Sequence, residues 1–407
     1  MAESAAALAD PLTLRCGAVL RCRIAKSAMS DSLGSGTGEA TPEQAALYRR
    51  WAEGGLALSI VGEVQGDPHA LENPGNLVLH ADSNIDALRE VTHGATGDGA
   101  HLWAQLGHAG ALAHDGVGRR VGPSALALDG LTCDALTVQE IEALPARYAE
   151  TARIAKAAGF TGVQVHAAHG FLLSQFLSPL FNRRGDLWGG SLENRMRLPL
   201  AVVDAVREAV GSGFPVGVKI NATDGLAGGL TEGESRDAIR TLDARGVDLL
   251  EISEGTYFPG APSSSEGDGG GVHGFCRRVR SEVAVPVMAA GGFKTRGQAL
   301  AAISAGMVDV VGAARGFVLD PELPQHWLEE PGEDPAFPRF TGPLPPGGIT
   351  AWYTMRIAAL AAGAQADYDH TPETALAAMT ARDLDRANRW RKSFGRPRAS
   401  SAPAKMS

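Results

Sequence analysis

The sequence predicts an α/β fold: a (β/α)8 TIM barrel over residues 1–330, followed by a C-terminal helical extension over 331–407. Three observations carry this expectation. Eight short apolar runs recur along the chain, each the length of a buried strand. Amphipathic stretches with their own start and stop signals separate them. The alternation is strict, which argues for a parallel sheet, and eight such units favour a closed barrel over a doubly wound open sheet. The 407 residues, 44% hydrophobic and 20% charged, hold ample apolar residue for one large core.

The first unit runs from Leu14 to Ser30, with a turn at Gly17, and ends in small residues that let a flat ligand approach the backbone. A glycine-rich loop, Leu33–Gly38, follows. Thr41-Pro42-Glu43 then reads as N-cap, proline at the first helical position and acidic first turn of a helix to Glu53, stopped by Gly54-Gly55. Leu56–Val61 is the second strand. A helix over Asp82–Thr92 leads to the third, His101–Leu106. After a polar loop carrying Gly116 and Gly118, Thr137-x-x-Glu140 opens a helix to Ala158 with a capping box. Gly162–His166 is the fourth strand. Leu172–Pro179 reads as a loop. Helix Leu198–Val210 leads to strand Val216–Ile220, and helix Thr231–Arg245 to strand Asp248–Ile252. Beyond the serine- and glycine-rich loop Ser263–Gly271, helix Phe275–Val283 leads to strand Val285–Ala290. Helix Thr295–Ala305 leads to the last strand, Val308–Val311. The tail is rich in proline and glycine to Gly348, then reads as helices Trp352–Ala362 and Pro372–Phe394 and a frayed end.

Composition narrows the class. A formal charge of −9 argues against a nucleic-acid surface. Met1–Asp10 has neither a basic start nor a long apolar core, and no apolar run is long enough to span a bilayer. The expectation is a cytoplasmic enzyme acting on a small molecule, with no nucleic-acid or membrane partner and homo-oligomerisation left open. Cys16, Cys22, Cys133 and Cys276 are scattered, so no metal site is expected from them.

In such a barrel the strands' C-terminal ends carry the chemistry. His166 and His169 leave the fourth strand three residues apart. Two neutral imidazoles can grip one carbonyl oxygen, although the pair also fits a structural contact or two ligands of a zinc site. The third strand delivers Gln105, with His108 just beyond. The second delivers Glu63 and Val64, and the fifth Lys219 and Asn221. Gln105 and Lys219 suit the polar edge of an isoalloxazine ring, the lysine placing a cation where a reduced flavin turns anionic. Lys219 equally fits a Schiff-base lysine of an aldolase. Gly291-Gly292 after the seventh strand and Ala314-Arg315 after the eighth stand where barrels commonly hold phosphate.

Arg23–Ser30, Gln105-Leu106-Gly107-His108-Ala109-Gly110, His166-Ala167-Ala168-His169-Gly170 and the long run Phe176–Arg195 resemble the Old Yellow Enzyme family of FMN-dependent NADH:flavin oxidoreductases. The resemblance spans roughly Leu12–Pro321. It implies that FMN is reduced by NADH or NADPH and passes hydride to the activated C=C of an α,β-unsaturated carbonyl or similar compound. A flavin-dependent dehydrogenase or desaturase is the alternative within redox chemistry. Carried over by motif, Ser27, Ala28, Met29 and Ser30 line the flavin, Val64 packs near it, and Gln105 binds its pyrimidine edge. Lys219 replaces the more usual arginine at the N1 side, and Gly291, Gly292, Ala314 and Arg315 hold the phosphate. His166 and His169 bind the substrate's oxygen. Ala28 and Ala314 stand where proline and glycine are common, and both keep the position small. Phe171 is the larger departure: many members carry there the tyrosine that protonates the substrate. Tyr257, after the sixth strand, and water remain as proton sources. Asn182, Asp186, Gly189, Asn194 and Arg195 are expected to fix the loop that follows the histidines.

Overall fold

The computed structural model describes residues 6–128, 130–258, 270–329 and 332–395. Eight parallel strands close on themselves: β1 (Ile24–Ser30), β2 (Leu58–Gln65), β3 (His101–Leu106), β4 (Gly162–Ala167), β5 (Val216–Asn221), β6 (Leu249–Ser253), β7 (Val287–Ala290) and β8 (Val310–Ala313). Each pairs with its neighbour in sequence, and β8 returns to β1. The helices between them are α1 (Pro42–Glu53), α2 (Ile85–Ala95), α3 (Val138–Ala157), α4 (Leu192–Val210), α5 (Glu232–Ala244), α6 (Gly270–Arg280) and α7 (Arg296–Ser304).

Local chemistry explains the boundaries. Thr41, Thr137, Thr231 and Thr295 each cap a helix with the side-chain oxygen and donate the backbone N–H in return to the side chains of Gln44, Glu140, Glu234 and Gln298 three residues on. Helix α4 starts six residues earlier than expected, because Ser191 accepts the Asn194 N–H and Pro199 is absorbed inside the helix. Leu172–Leu177 is a buried helical turn, not a loop. The expected polar loop before α3 contains a small sheet of Val121–Gly122, Leu126–Leu128 and Leu131–Ala135. Of the expected Ser263–Gly271 loop, only Gly270 and Gly271 are described, and they begin α6. The expected frayed end beyond residue 395 lies outside the described residues.

Strand alternation aims one side chain in two at the barrel interior. The floor is Trp103 of β3, fully buried; a Cβ on Gly162 would fall 2.3 Å from its indole nitrogen, and one on Gly217 2.8 Å from its ring. Those two glycines therefore make room for the indole. Above it the same faces carry Gln105, then Gln164 and His166, then Lys219 and Asn221, then Glu251 and Ser253. Register sets Gln164 beside Gln105, His166 beside Lys219 and Lys219 beside Glu251.

Beyond the barrel run α8 (Gly348–Ala361) and α9 (Pro372–Phe394). Tyr353, Ile357 and Leu360 of α8 join the barrel's apolar core. Helix α9 straps the loops that leave β1, β2 and β3: Arg386 donates to Ser32 O (2.5 Å), Trp390 to Pro68 O (2.9 Å) and Arg391 to Gly116 O (3.1 Å). Among the described residues no helix is long and apolar enough to cross a membrane.

Candidate active site

The mouth at the strands' C-terminal ends gathers the two histidines and a chain of buried polar groups. His166 is 2% exposed. Its Nδ1 accepts the Ala168 N–H at 3.2 Å, so the ring hydrogen belongs on Nε2. His169 has a left-handed backbone (φ 59°), which turns its ring back over the mouth. Its N–H donates to Asn221 Oδ1 (3.2 Å), and the Ser253 hydroxyl lies 2.6 Å from Nε2. With that hydroxyl donating, Nδ1 carries the ring hydrogen. The two rings meet edge to face, centroids 5.2 Å apart. Burial, reinforced by the Lys219 charge, holds both pKa values well below the usual histidine range, so both imidazoles are neutral.

Beneath them runs a side-chain relay. Gln105 Nε2 donates to Gln164 Oε1 (2.7 Å), and Gln164 Nε2 donates to Glu251 Oε2 (2.6 Å). Lys219 Nζ lies 3.0 Å from Glu251 Oε1, close enough for an ion pair though off the line of a hydrogen bond. The relay commits the Gln105 amide nitrogen to Gln164 and leaves its oxygen as the acceptor beside Gly62. Across the mouth, Phe171 stands 5.0 Å from His166 and Tyr257 5.7 Å from His169. Phe171 is buried, whereas Tyr257 is 60% exposed. A bridge from His169 to Thr256 ties the loop after β4 to that after β6.

At the far side, Gly291 and Gly292 both have positive φ (88° and 79°), a conformation that favours glycine. Arg315 stacks 5.3 Å from the Tyr353 ring of α8 and has no ion-pair partner among the described residues. The loop after β4 is held as its residue types promised. Asn182 donates to Phe176 O and Trp188 O, Arg184 pairs with Asp186, and Arg195 reaches Leu177 O and Glu234.

With this geometry, the family model for the NADH:flavin oxidoreductase / NADH oxidase family matches residues 7–330. The chain belongs to this family. This Old Yellow Enzyme family is FMN-dependent, with NADH or NADPH as reductant. The chain is 33% identical over 359 residues to the NADH-dependent flavin oxidoreductase iliE of Neonectria sp., covering 79% of this chain and 47% of that protein, so it spans about half that relative's length. It is 32% identical to the NADPH dehydrogenase of Bacillus licheniformis, over 78% of this chain and 93% of that one. A morphinone reductase structure in complex with tetrahydroNAD superposes with TM-score 0.68 at 28% identity, covering 79% of this chain and 90% of that one.

The mouth of this family member is shaped for a flat ring. A Cβ on Gly62 would fall 3.2 Å from each of Ala28 Cβ, Met29 N and Gln105 Oε1, so glycine keeps a slot open between β1, β2 and β3. Ser27 Oγ is buried without a partner, a polar atom left for a ligand. These features fit FMN. Ser30 is held by Asn76 Nδ2 at 3.2 Å.

Two strand-end expectations are corrected. Val64 does not face the mouth: with His108 it lines a small cavity against Leu144, Tyr148 and Thr151 of α3. A register shift in β2 between Val61 and Val64 changes which residues point inward, and Gly62 and Glu63 take the mouth instead. His108 spends its Nδ1 on the Gly110 N–H, and burial lowers its pKa to about 4. Sequence reasoning passed over Gln164, Ser253, Tyr353 and Lys26. The inward phase of β4 and β6 could have found Gln164 and Ser253. Nothing local marks Tyr353. Lys26 is fully buried, donates to Ile60 O (3.1 Å) and lies 4.7 Å from the Trp51 ring, so it braces β1 against α1 rather than the mouth.

Proposed function

We propose that the protein takes hydride from NADH or NADPH and delivers it to the β-carbon of an activated alkene, an α,β-unsaturated carbonyl or nitro compound. FMN, when bound, supplies the reversible hydride chemistry. The observation that carries this reading is the pair of neutral histidines set edge to face at the mouth, each imidazole with one N–H to donate. Two such donors stabilise an oxygen that gains charge as hydride arrives. Ser27, Ala28, Met29, Ser30, Gly62 and Gln105 would hold the ring, with Lys219 supplying positive charge at its pyrimidine side. Gly291, Gly292, Ala314 and Arg315 would hold the phosphate. Phe171 and Tyr257 would flank the substrate. A Schiff-base role for Lys219 is disfavoured, because its Nζ is engaged by Glu251 at 3.0 Å.

The test is anaerobic. The purified protein should carry FMN, be bleached by NADH or NADPH, and regain its colour with cyclic enones, nitroalkenes or nitrate esters. Reduced protein that only oxygen reoxidises would refute the alkene reading.

A further inference from the structure

Hydride addition at a β-carbon moves the double-bond pair onto the substrate's oxygen, and the resulting enolate must gain a proton at its α-carbon. Phe171 has none to give, and Tyr257, 60% exposed on the loop after β6, is held by no side-chain hydrogen bond among the described residues. Glu63 is differently placed. It lies near the end of β2 at the mouth, is 5% exposed, and holds Oε1 3.3 Å from His166 Nε2, the atom that carries the ring hydrogen. Its other oxygen, Oε2, is buried with no partner. That oxygen occupies the space above Gly107, where a Cβ would fall 2.1 Å from it; only glycine leaves room for the carboxyl. With no protein partner, that oxygen is left for a bound ligand.

We propose that the Glu63 carboxyl is the acid that protonates the substrate's α-carbon. The inference rests on the alkene-reduction reading above. The enolate oxygen is held by the two histidine N–H groups. The Glu63 O–H bond breaks, its hydrogen goes to the α-carbon, the C=O re-forms, and the O–H pair stays on Glu63 as a carboxylate. Solvent then returns the proton to Glu63. The groups facing Glu63 are His166 on β4, Lys219 on β5, Glu72 in the loop after β2, Tyr148 on α3 and Tyr257 after β6. Burial, then the charge of Glu72, pushes the Glu63 carboxyl well above the ordinary carboxylate range and so toward the acid form, with Lys219 acting the other way.

The experiment uses the FMN-loaded protein, Glu63→Gln and Glu63→Asp, with 2-methylcyclohex-2-enone as substrate. Infrared spectra at neutral pH should show a carboxylic-acid C=O band in the parent that Glu63→Gln lacks; a parent without that band overturns the inference. In stopped flow, Glu63→Gln should be reduced by NAD(P)H as fast as the parent but reoxidised by the enone about 100-fold more slowly. Glu63→Asp, which keeps the acid, should recover part of the loss. The parent's reoxidation should slow at alkaline pH as the acid ionises, and Glu63→Gln should lack that dependence. The parent should form one configuration at the α-carbon, and Glu63→Gln a mixture. A parent that reduces no enone overturns both this inference and the reading beneath it. A parent that does, matched by Glu63→Gln in rate and α-carbon configuration, overturns this inference alone.

Discussion

Replacing Gln164 by leucine removes the middle of the buried relay, and its cost can be worked from the geometry. Two hydrogen bonds, 2.7 Å from Gln105 and 2.6 Å to Glu251, vanish together. Both partners stay buried, at 2% and 0% exposure, so water cannot replace the lost bonds. An orphaned buried amide donor costs about 1–3 kcal/mol, and an orphaned acceptor on a charged group costs more. Leucine's extra apolar contact offsets part of this, leaving an expected net loss of about 3–5 kcal/mol of stability. Function should suffer separately. Gln164 fixes which end of the Gln105 amide faces Gly62; once free to flip, Gln105 presents the wrong group part of the time. FMN affinity should fall about tenfold, which corresponds to about 1.4 kcal/mol. Denaturant unfolding of the flavin-free protein measures the first effect, and fluorescence titration with FMN the second. A stability change below about 1 kcal/mol would show that the relay is not the buried, fully committed network described. Full FMN affinity in a destabilised variant would show that Gln105 does not read the ring.

Three further outcomes follow from the same geometry. Lys219→Met should lower the flavin reduction potential and slow reduction by NAD(P)H more than it weakens FMN binding, because the cation acts on the charge that develops in the reduced state; an unchanged potential would refute it. Ser253→Ala should free the His169 ring to change tautomer and slow reoxidation by an enone about tenfold, with Ser253→Thr restoring it; stopped-flow comparison of the two half-reactions decides whether the loss is confined to that step. Lys26 has its pKa lowered by burial from 10.5 to about 8, so below pH 8 folding buries a full charge that the unfolded chain keeps in water. Between pH 8 and 10.5 the unfolded state binds more protons and stability rises with pH. Lys26→Met should therefore be more stable than the parent at pH 7, by up to about 3 kcal/mol less the lost bond to Ile60 O and the ring contacts. The gap should close near pH 10.5, and an equal gap at pH 7 and at pH 10 would refute the assignment.

Much of this protein is legible in the chain because the signals are local. Thr41, Thr137, Thr231 and Thr295 announce their helices through bonds spanning three residues, and apolar runs between such helices leave a parallel barrel as the way to bury every strand. The sequence by itself determined that His166 and His169 leave a strand together, and that Gln105 and Lys219 lie on the two strands that flank it. What it could not determine is which way a residue faces once alternation breaks. The shift within β2 turns Val64 toward α3 and Glu63 into the mouth, and that phase is set by pairing with β1 and β3, not by residue type. Nor could it join Gln105, Gln164, Glu251 and Lys219 into one relay, since the strands' register alone brings their side chains within bonding distance. Tyr353 reaches Arg315 across 38 residues only because α8 packs into the barrel's core. Helix caps are decided by neighbours along the chain, whereas the facing of a buried acid and the partner of a cation are decided by neighbours in space.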